Sequence, residues 1–170
     1  QDFDPMVFIK DKKSIRHMDR NAQFALSAAI MAADDAQLDM SKENHERAGV
    51  ILGTGIGGVA TMEDTVLRIE KRGPSKVNPF AVPMMIANMA SGQVSIHFEL
   101  MGPVLTDVTA CASGNNAIGL SLRMIQYGDA DVMFAGGTEA AVNKSAHGWL
   151  CGHEGHVHKG LPSGRSILSV

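Results

Sequence analysis

The sequence predicts an α/β domain in which helices pack in layers on a β-sheet. Short apolar, β-branched runs at 48–52, 104–110 and 131–135 have the length of buried strands, and the longer segments between them carry helical spacing. The resulting order, helix, strand, helix, helix, strand, helix, strand, is that of a sheet covered by helices. With 45% hydrophobic and 19% charged residues over 170 positions, the chain has the composition of a globular domain with one core.

Taken in order, the Ala-rich run 18–36 places Phe24, Ala25, Ala28, Ala29 and Ala32 on one face, which predicts a helix lying close against the sheet. The strand 48–52 follows, then the glycine turn GTGIGG at 53–58 and a helix over 59–72 that Gly73 terminates. Gly53, Gly55 and Gly58 spell the dinucleotide fingerprint between a strand and a helix. A dinucleotide fold requires a second strand soon after the helix and an acidic residue about 20 positions on, whereas this chain runs into the loop GPSKVNPFAVP. The glycines are therefore assigned to tight packing and backbone access.

Pro83 suits a first helical turn, and Met84, Met85, Met89, Val94 and Phe98 keep the following helix apolar until Gly102-Pro103 ends it. The run 104–110 reads as a buried strand. Residues 115–127 then read as a helix with apolar spacing at Ile118, Leu122 and Ile125, closed by Gly128.

A net charge of −3 gives no reason to expect nucleic acid or an anionic membrane surface as a partner. No apolar run approaches the roughly 18 residues of a membrane span, and the first residues carry no signal-peptide pattern, so a cytoplasmic protein is expected. Two cysteines, Cys111 and Cys151, make no disulfide framework and fit a reducing compartment.

Cys111 falls between a strand and a helix, where the unsatisfied N–H groups of the first helical turn favour a thiolate. Ala110, Ala112, Ser113 and Gly114 are small enough for a substrate carbonyl to approach the backbone, with the Cys111 N–H as one oxyanion donor. Local chemistry leaves the alternative open that Cys111 is a small buried residue.

TACASG at 109–114, GDADVMFAGGTEAA at 128–141, NPFAVPMMIANMASGQVSI at 78–96, GTGIGG at 53–58 and RHMDR at 16–20 occur together in order. In this combination the chain resembles the β-ketoacyl-[acyl-carrier-protein] synthases of the condensing-enzyme family, most of all the type II enzymes of fatty acid synthesis. The resemblance implies a thiolase-like layered fold, with helices packed on a mixed β-sheet, of which residues 1–142 are a partial N-terminal half without its first strand. Gln1 in place of Met agrees with a fragment.

That resemblance further implies a decarboxylating Claisen condensation with Cys111 as nucleophile, without cofactor or metal. Two histidines and a lysine of the family's second half have no counterpart motif here, so the fragment is expected to be inactive in condensation. By position, Ile56 gates the acyl pocket, and Phe80 and Ala81 approach a pocket from across a homodimer interface. Lys13, Arg16, His17 and Lys76 match the basic rim that receives the acyl carrier protein. The Met-rich helix serves both core and acyl tunnel. A thiolase, a polyketide ketosynthase and a non-catalytic chain-length-factor partner are the competing readings.

The match ends near Ser145. Cys151, His153, His156 and His158 superficially suggest a metal site. Residues 147–159, however, can be encoded so that reading from the second base gives MAGFVAMKAMSTR, which is similar to the family's next segment. The segment 143–170 is accordingly expected to be a divergent, out-of-frame tail.

Overall fold

Strands β1 (Ala48–Gly53), β2 (Val104–Asp107) and β3 (Val132–Gly137) form one sheet in the order β2-β1-β3, and among the described residues both pairings are parallel where a mixed sheet was expected. This is the arrangement in a computed structural model, which describes residues 3–144 together with 146 and 148. Val50 pairs with Val104 on one side and Phe134 on the other, and β1 ends with Gly53 opposite Asp107 and Gly137. Every residue of β1 is buried. A strand covered on both faces must be apolar throughout, which is why AGVILG reads so clearly as a strand.

The helices are α1 (Lys12–Arg16), α2 (Arg20–Asp35), α3 (Val59–Arg72), α4 (Ala81–Met85), α5 (Met89–Phe98) and α6 (Ser113–Tyr127). Helices α2 and α5 pack on each other, and α5 lies on β1, while α6 contacts all three strands. Val50 and Leu52 belong to the core shared with Ala22, Leu26 and Val94, whereas the buried Ile51 between them lies outside it. Alternation along the strand therefore turns Ile51 to the α6 face. The chain passes from β1 to β2 by way of α5 and returns across β1 to β3 by way of α6. Right-handed crossovers put the two helices on opposite faces when the direction of travel reverses.

Asp19 starts α2 and braces it. Its Oδ1 accepts the Asn21 N–H at 3.0 Å, an N-cap, and its Oδ2 accepts the Thr61 N–H at 3.0 Å and the Thr61 hydroxyl at 2.6 Å. This buried carboxylate thus ties α2 to the first turn of α3.

Five further details depart from the sequence reading. The buried side of α2, which packs chiefly on α5, is Ala22, Ala25, Leu26, Ala29 and Ala33, while Ala28 and Ala32 are exposed along a groove of about 480 Å3 beside β3. The expected single helix from Pro83 is broken between α4 and α5, because the Met85 carbonyl accepts the Gly58 N–H at 3.1 Å. That helix also ends at Glu99, in the left-handed region, rather than at Gly102.

Strand β2 is an edge, not a buried strand, since among the described residues only β1 pairs with it, and Val104 and Leu105 are exposed. Finally, Ile118, Leu122 and Ile125 point away from the sheet, with exposures of 53%, 54% and 44%. Ser113, Ala117 and Ser121 face inward instead, since the close approach of α6 leaves no room for larger side chains.

The described residues up to Ala140 form one compact unit, and those from Ala141 onward belong to a second. In the second, the Asn143 side chain accepts the Ala146 N–H at 2.8 Å. Cys151, His153, His156 and His158, whose superficial resemblance to a metal site was set aside, and most of the tail lie outside the described residues. Among the described residues no helix is long and apolar enough to cross a membrane.

Candidate active site

Cys111 stands exposed on a strand-to-helix elbow. Strand β2 ends at Asp107, a single 3-10 turn spans Ala110–Ala112, and α6 begins at Ser113. Ala110 has φ +52°, a left-handed conformation costing a residue with a Cβ about 1–2 kcal/mol. The surrounding hydrogen bonds hold it there. The buried Ser113 Oγ accepts the Thr109 N–H at 2.8 Å and lies 2.7 Å from the Ala110 carbonyl and 3.2 Å from that of Thr54 as donor. Thr109 Oγ1 donates to Asp107 at 2.5 Å and accepts from Asn116 Nδ2 at 2.8 Å. The side chains of 107, 109, 113 and 116 therefore grip both sides of the cysteine.

No described residue accepts the Cys111 N–H. It remains available to a carbonyl oxygen brought to the elbow. The Sγ side opens into a cleft of about 550 Å3 lined by Gly55, Ile56, Cys111, Thr138 and Glu139 among others. These residues follow the carboxyl ends of the three parallel strands, where open α/β sheets bind ligands.

The glycine turn explains itself by contact. A Cβ on Gly53 would strike the Ser113 carbonyl group and the Gly114 nitrogen, and one on Gly58 would strike Met84. Gly57 has φ +81° and rests against Ala87. Hence β1 packs directly on the start of α6, and the loop packs on the α4–α5 break. The glycines serve close backbone approach.

Of the sequence-predicted residues, Ile56 and Cys111 share the cleft. Phe80 and Ala81 are not among its lining residues: Phe80 is exposed at the N-cap of α4, and Ala81 is 4% exposed at the start of that helix. Lys13, Arg16 and Lys76 are exposed, while His17 is half-buried and stacks on Phe80 at 3.8 Å between ring centroids. That stack joins the end of α1 to segment 74–80 and so brings the two halves of the predicted basic rim to one region. The sequence reading named Ser113 only as a small neighbour of Cys111 and passed over Asn116 and Glu139; the contacts of Ser113 to Thr54 and of Glu139 to Gly55 and Ile56 depend on long-range register. The motif TACASG flags Ser113 and GGTEAA flags Glu139, while Asn116 lies outside both.

An exposed thiol on a strained elbow at the carboxyl end of a parallel sheet is the layout of α/β proteins that carry a nucleophile on a strand-to-helix turn. Residues 1–158 match the family Beta-ketoacyl synthase, N-terminal domain, a match that runs past Ser145, where the sequence reading ended it, and the chain belongs to that family. It is 48% identical over 136 residues to 3-oxoacyl-[acyl-carrier-protein] synthase 2 of Staphylococcus aureus, a match covering 80% of this chain and 34% of the relative. With the protein of the same description from Synechocystis it shares 46% over 142 residues, 84% of this chain and 34% of that one. The chain thus spans about a third of the length of these relatives.

Among solved structures, the fold is similar to a type II polyketide ketosynthase in complex with its acyl-carrier protein and bound to a hexaketide. The TM-score is 0.83 at 26% identity over 88% of this chain and 43% of that one. A Beta-ketoacyl synthase from Burkholderia phymatum matches with TM-score 0.65 at 28% identity, covering 74% of this chain and 31% of that one. The thiolase-like layered α/β fold is that of the N-terminal half of a ketosynthase.

Proposed function

We propose that this chain is the nucleophile-bearing part of a 3-oxoacyl-[acyl-carrier-protein] synthase of fatty acid synthesis, with Cys111 as the residue that is acylated. The observation that carries this is the exposed Cys111 on its braced elbow, with a free N–H beside an open cleft. In the step proposed, the Cys111 thiolate attacks the carbonyl of an acyl thioester on the carrier protein. The oxygen takes the negative charge against the Cys111 N–H, the carrier's thiolate leaves, and a new thioester joins the acyl group to Sγ. Condensation with malonyl thioester further requires the histidines and lysine that the family carries in its second half. The 170-residue chain is therefore expected to acylate without condensing.

Ile56 borders the cleft and is positioned to meet an acyl chain entering past Cys111. Lys13, Arg16, His17 and Lys76 form a rim suited to an acidic carrier protein. The exposed edge of β2 supports the homodimer. The higher identity to the fatty acid enzymes, 48% against 26% to the polyketide ketosynthase, favours the fatty acid reading. The presence of Cys111 argues against a non-catalytic chain-length factor.

The test is to incubate the chain with acyl-carrier thioester, and separately with acyl-coenzyme A, and to map the acylated peptide. Transfer from the carrier to Cys111, abolished by Cys111→Ala, is expected. Labelling that survives Cys111→Ala refutes the assignment, and exclusive use of acyl-coenzyme A favours a thiolase instead.

A further inference from the structure

We propose that Glu139 is a positioning residue whose carboxylate anchors the β1–α3 loop and thereby sets where Ile56 stands beside Cys111. The anchoring rests on geometry alone, while its consequence for acyl chains rests on the function proposed above.

Consecutive N–H groups at a glycine-rich turn make a concavity that binds anions, the same feature that cradles phosphate in nucleotide folds. Here it is occupied from within. Glu139 Oε2 accepts the Gly55 N–H at 2.7 Å and the Ile56 N–H at 3.1 Å, with the Thr54 hydroxyl as a third donor at 3.4 Å. That hydroxyl in turn accepts the Gly57 N–H at 3.1 Å and the Asn21 Nδ2 at 3.4 Å, which uses its one donor and two acceptor positions. The internal carboxylate supplies what a phosphate would.

Its delivery depends on the sheet. Gly53 pairs with Gly137, the Thr138 N–H donates to the Gly53 carbonyl at 2.9 Å, and Glu139 leaves the strand at the level of the loop. A span of 84 residues separates Glu139 from Gly55, so no local turn provides this contact. The loop needs it because four of its six residues, Gly53, Gly55, Gly57 and Gly58, have the widest backbone freedom. Hydrogen bonds to an ionised acceptor are about twice as strong as neutral ones. A glutamine at 139 keeps one acceptor oxygen without the charge, and an alanine keeps neither, so the two variants should form a graded series.

The experiment is hydrogen–deuterium exchange of the Gly55 and Ile56 amides in the full 170-residue chain, comparing wild type, Glu139→Gln and Glu139→Ala. Exchange at both amides should accelerate by about tenfold or more in Glu139→Ala and by less in Glu139→Gln, with the β1 amides unchanged. Unchanged exchange at Gly55 and Ile56 in Glu139→Ala overturns the anchor. If the alanine variant loses β1 protection, Glu139→Gln decides by the same criterion. The second measurement is the ratio of Cys111 acylation by long and short acyl-carrier thioesters, set against alkylation by iodoacetamide. A shifted ratio with alkylation within about twofold supports the placement of Ile56, because a general loss of structure would move both. An unmoved ratio despite freed loop amides overturns that placement. A wild-type chain that accepts no acyl group from either thioester defeats the function proposed above, and the amide exchange still decides the anchor.

Discussion

Replacing Gly53 and Gly119 by alanine, one at a time, should move stability in opposite directions. At Gly53 a Cβ would lie 2.5 Å from the Gly114 nitrogen and closer still to the Ser113 carbonyl group, whereas ordinary contact begins at 3.4 Å. Backbone must therefore separate by about 1 Å, and overpacking of this kind costs about 1–3 kcal/mol. Relaxation would stretch the bonds that flank the site, Thr54 N–H to Asp107 at 3.0 Å and Thr138 N–H to Gly53 at 2.9 Å. At Gly119, within α6, a Cβ meets nothing within 4 Å. There, alanine should stabilise by about 0.4–1 kcal/mol through the unfolded chain. Urea unfolding of the two variants reads the stability, and a displaced elbow should also slow Cys111 acylation by about 100-fold in Gly53→Ala, since misplacement by 1 Å has that scale of effect. A Gly53→Ala protein within about 0.5 kcal/mol of wild type would refute the packing argument.

Ile56→Phe should shift acylation of Cys111 toward shorter acyl chains, because the packed loop has little room to retreat from added volume; an unchanged chain-length profile from competing thioesters counts against the gate. Arg47 holds the Asp131 carboxyl below its ordinary value of 3.8, chiefly through hydrogen bonds of 2.7 and 2.8 Å. A depressed carboxyl contributes stability above its unfolded value and loses it as pH falls through the folded one. The stability difference between wild type and Asp131→Asn should thus be constant from neutral pH to about 4 and shrink below it, and should fall with salt; a difference that grows on acidification in urea titrations would contradict the pairing. Resequencing the gene around codon 146 should reveal one extra base, whereas an intact reading frame through 147–159 would sink the proposed frame shift.

Much of the layered fold was legible because its central strand is a continuous apolar run and because α3 and α6 carry amphipathic spacing closed by a glycine. Helix α3 ends at Gly73 and α6 at Gly128, and β1 is the apolar run AGVILG. The position of Cys111 between a strand and a helix was equally local, since it follows from where one pattern stops and the next starts. What periodicity does not carry is which side of an apolar element meets which neighbour.

The sequence by itself determined the element types, the glycine punctuation and the strand-to-helix location of Cys111, all of which arise from interactions within a few residues. Tertiary structure alone decided that Ser113, Ala117 and Ser121, not Ile118, Leu122 and Ile125, face the sheet, since backbone proximity at Gly53 and Gly114 admits only small side chains. It also decided the break after Met85, whose carbonyl is claimed by Gly58, and the edge position of β2. Glu139 reaches Gly55 and Ile56 only because parallel pairing aligns Gly53 with Gly137. Contacts between residues so far apart depend on strand order and register, which no local pattern encodes.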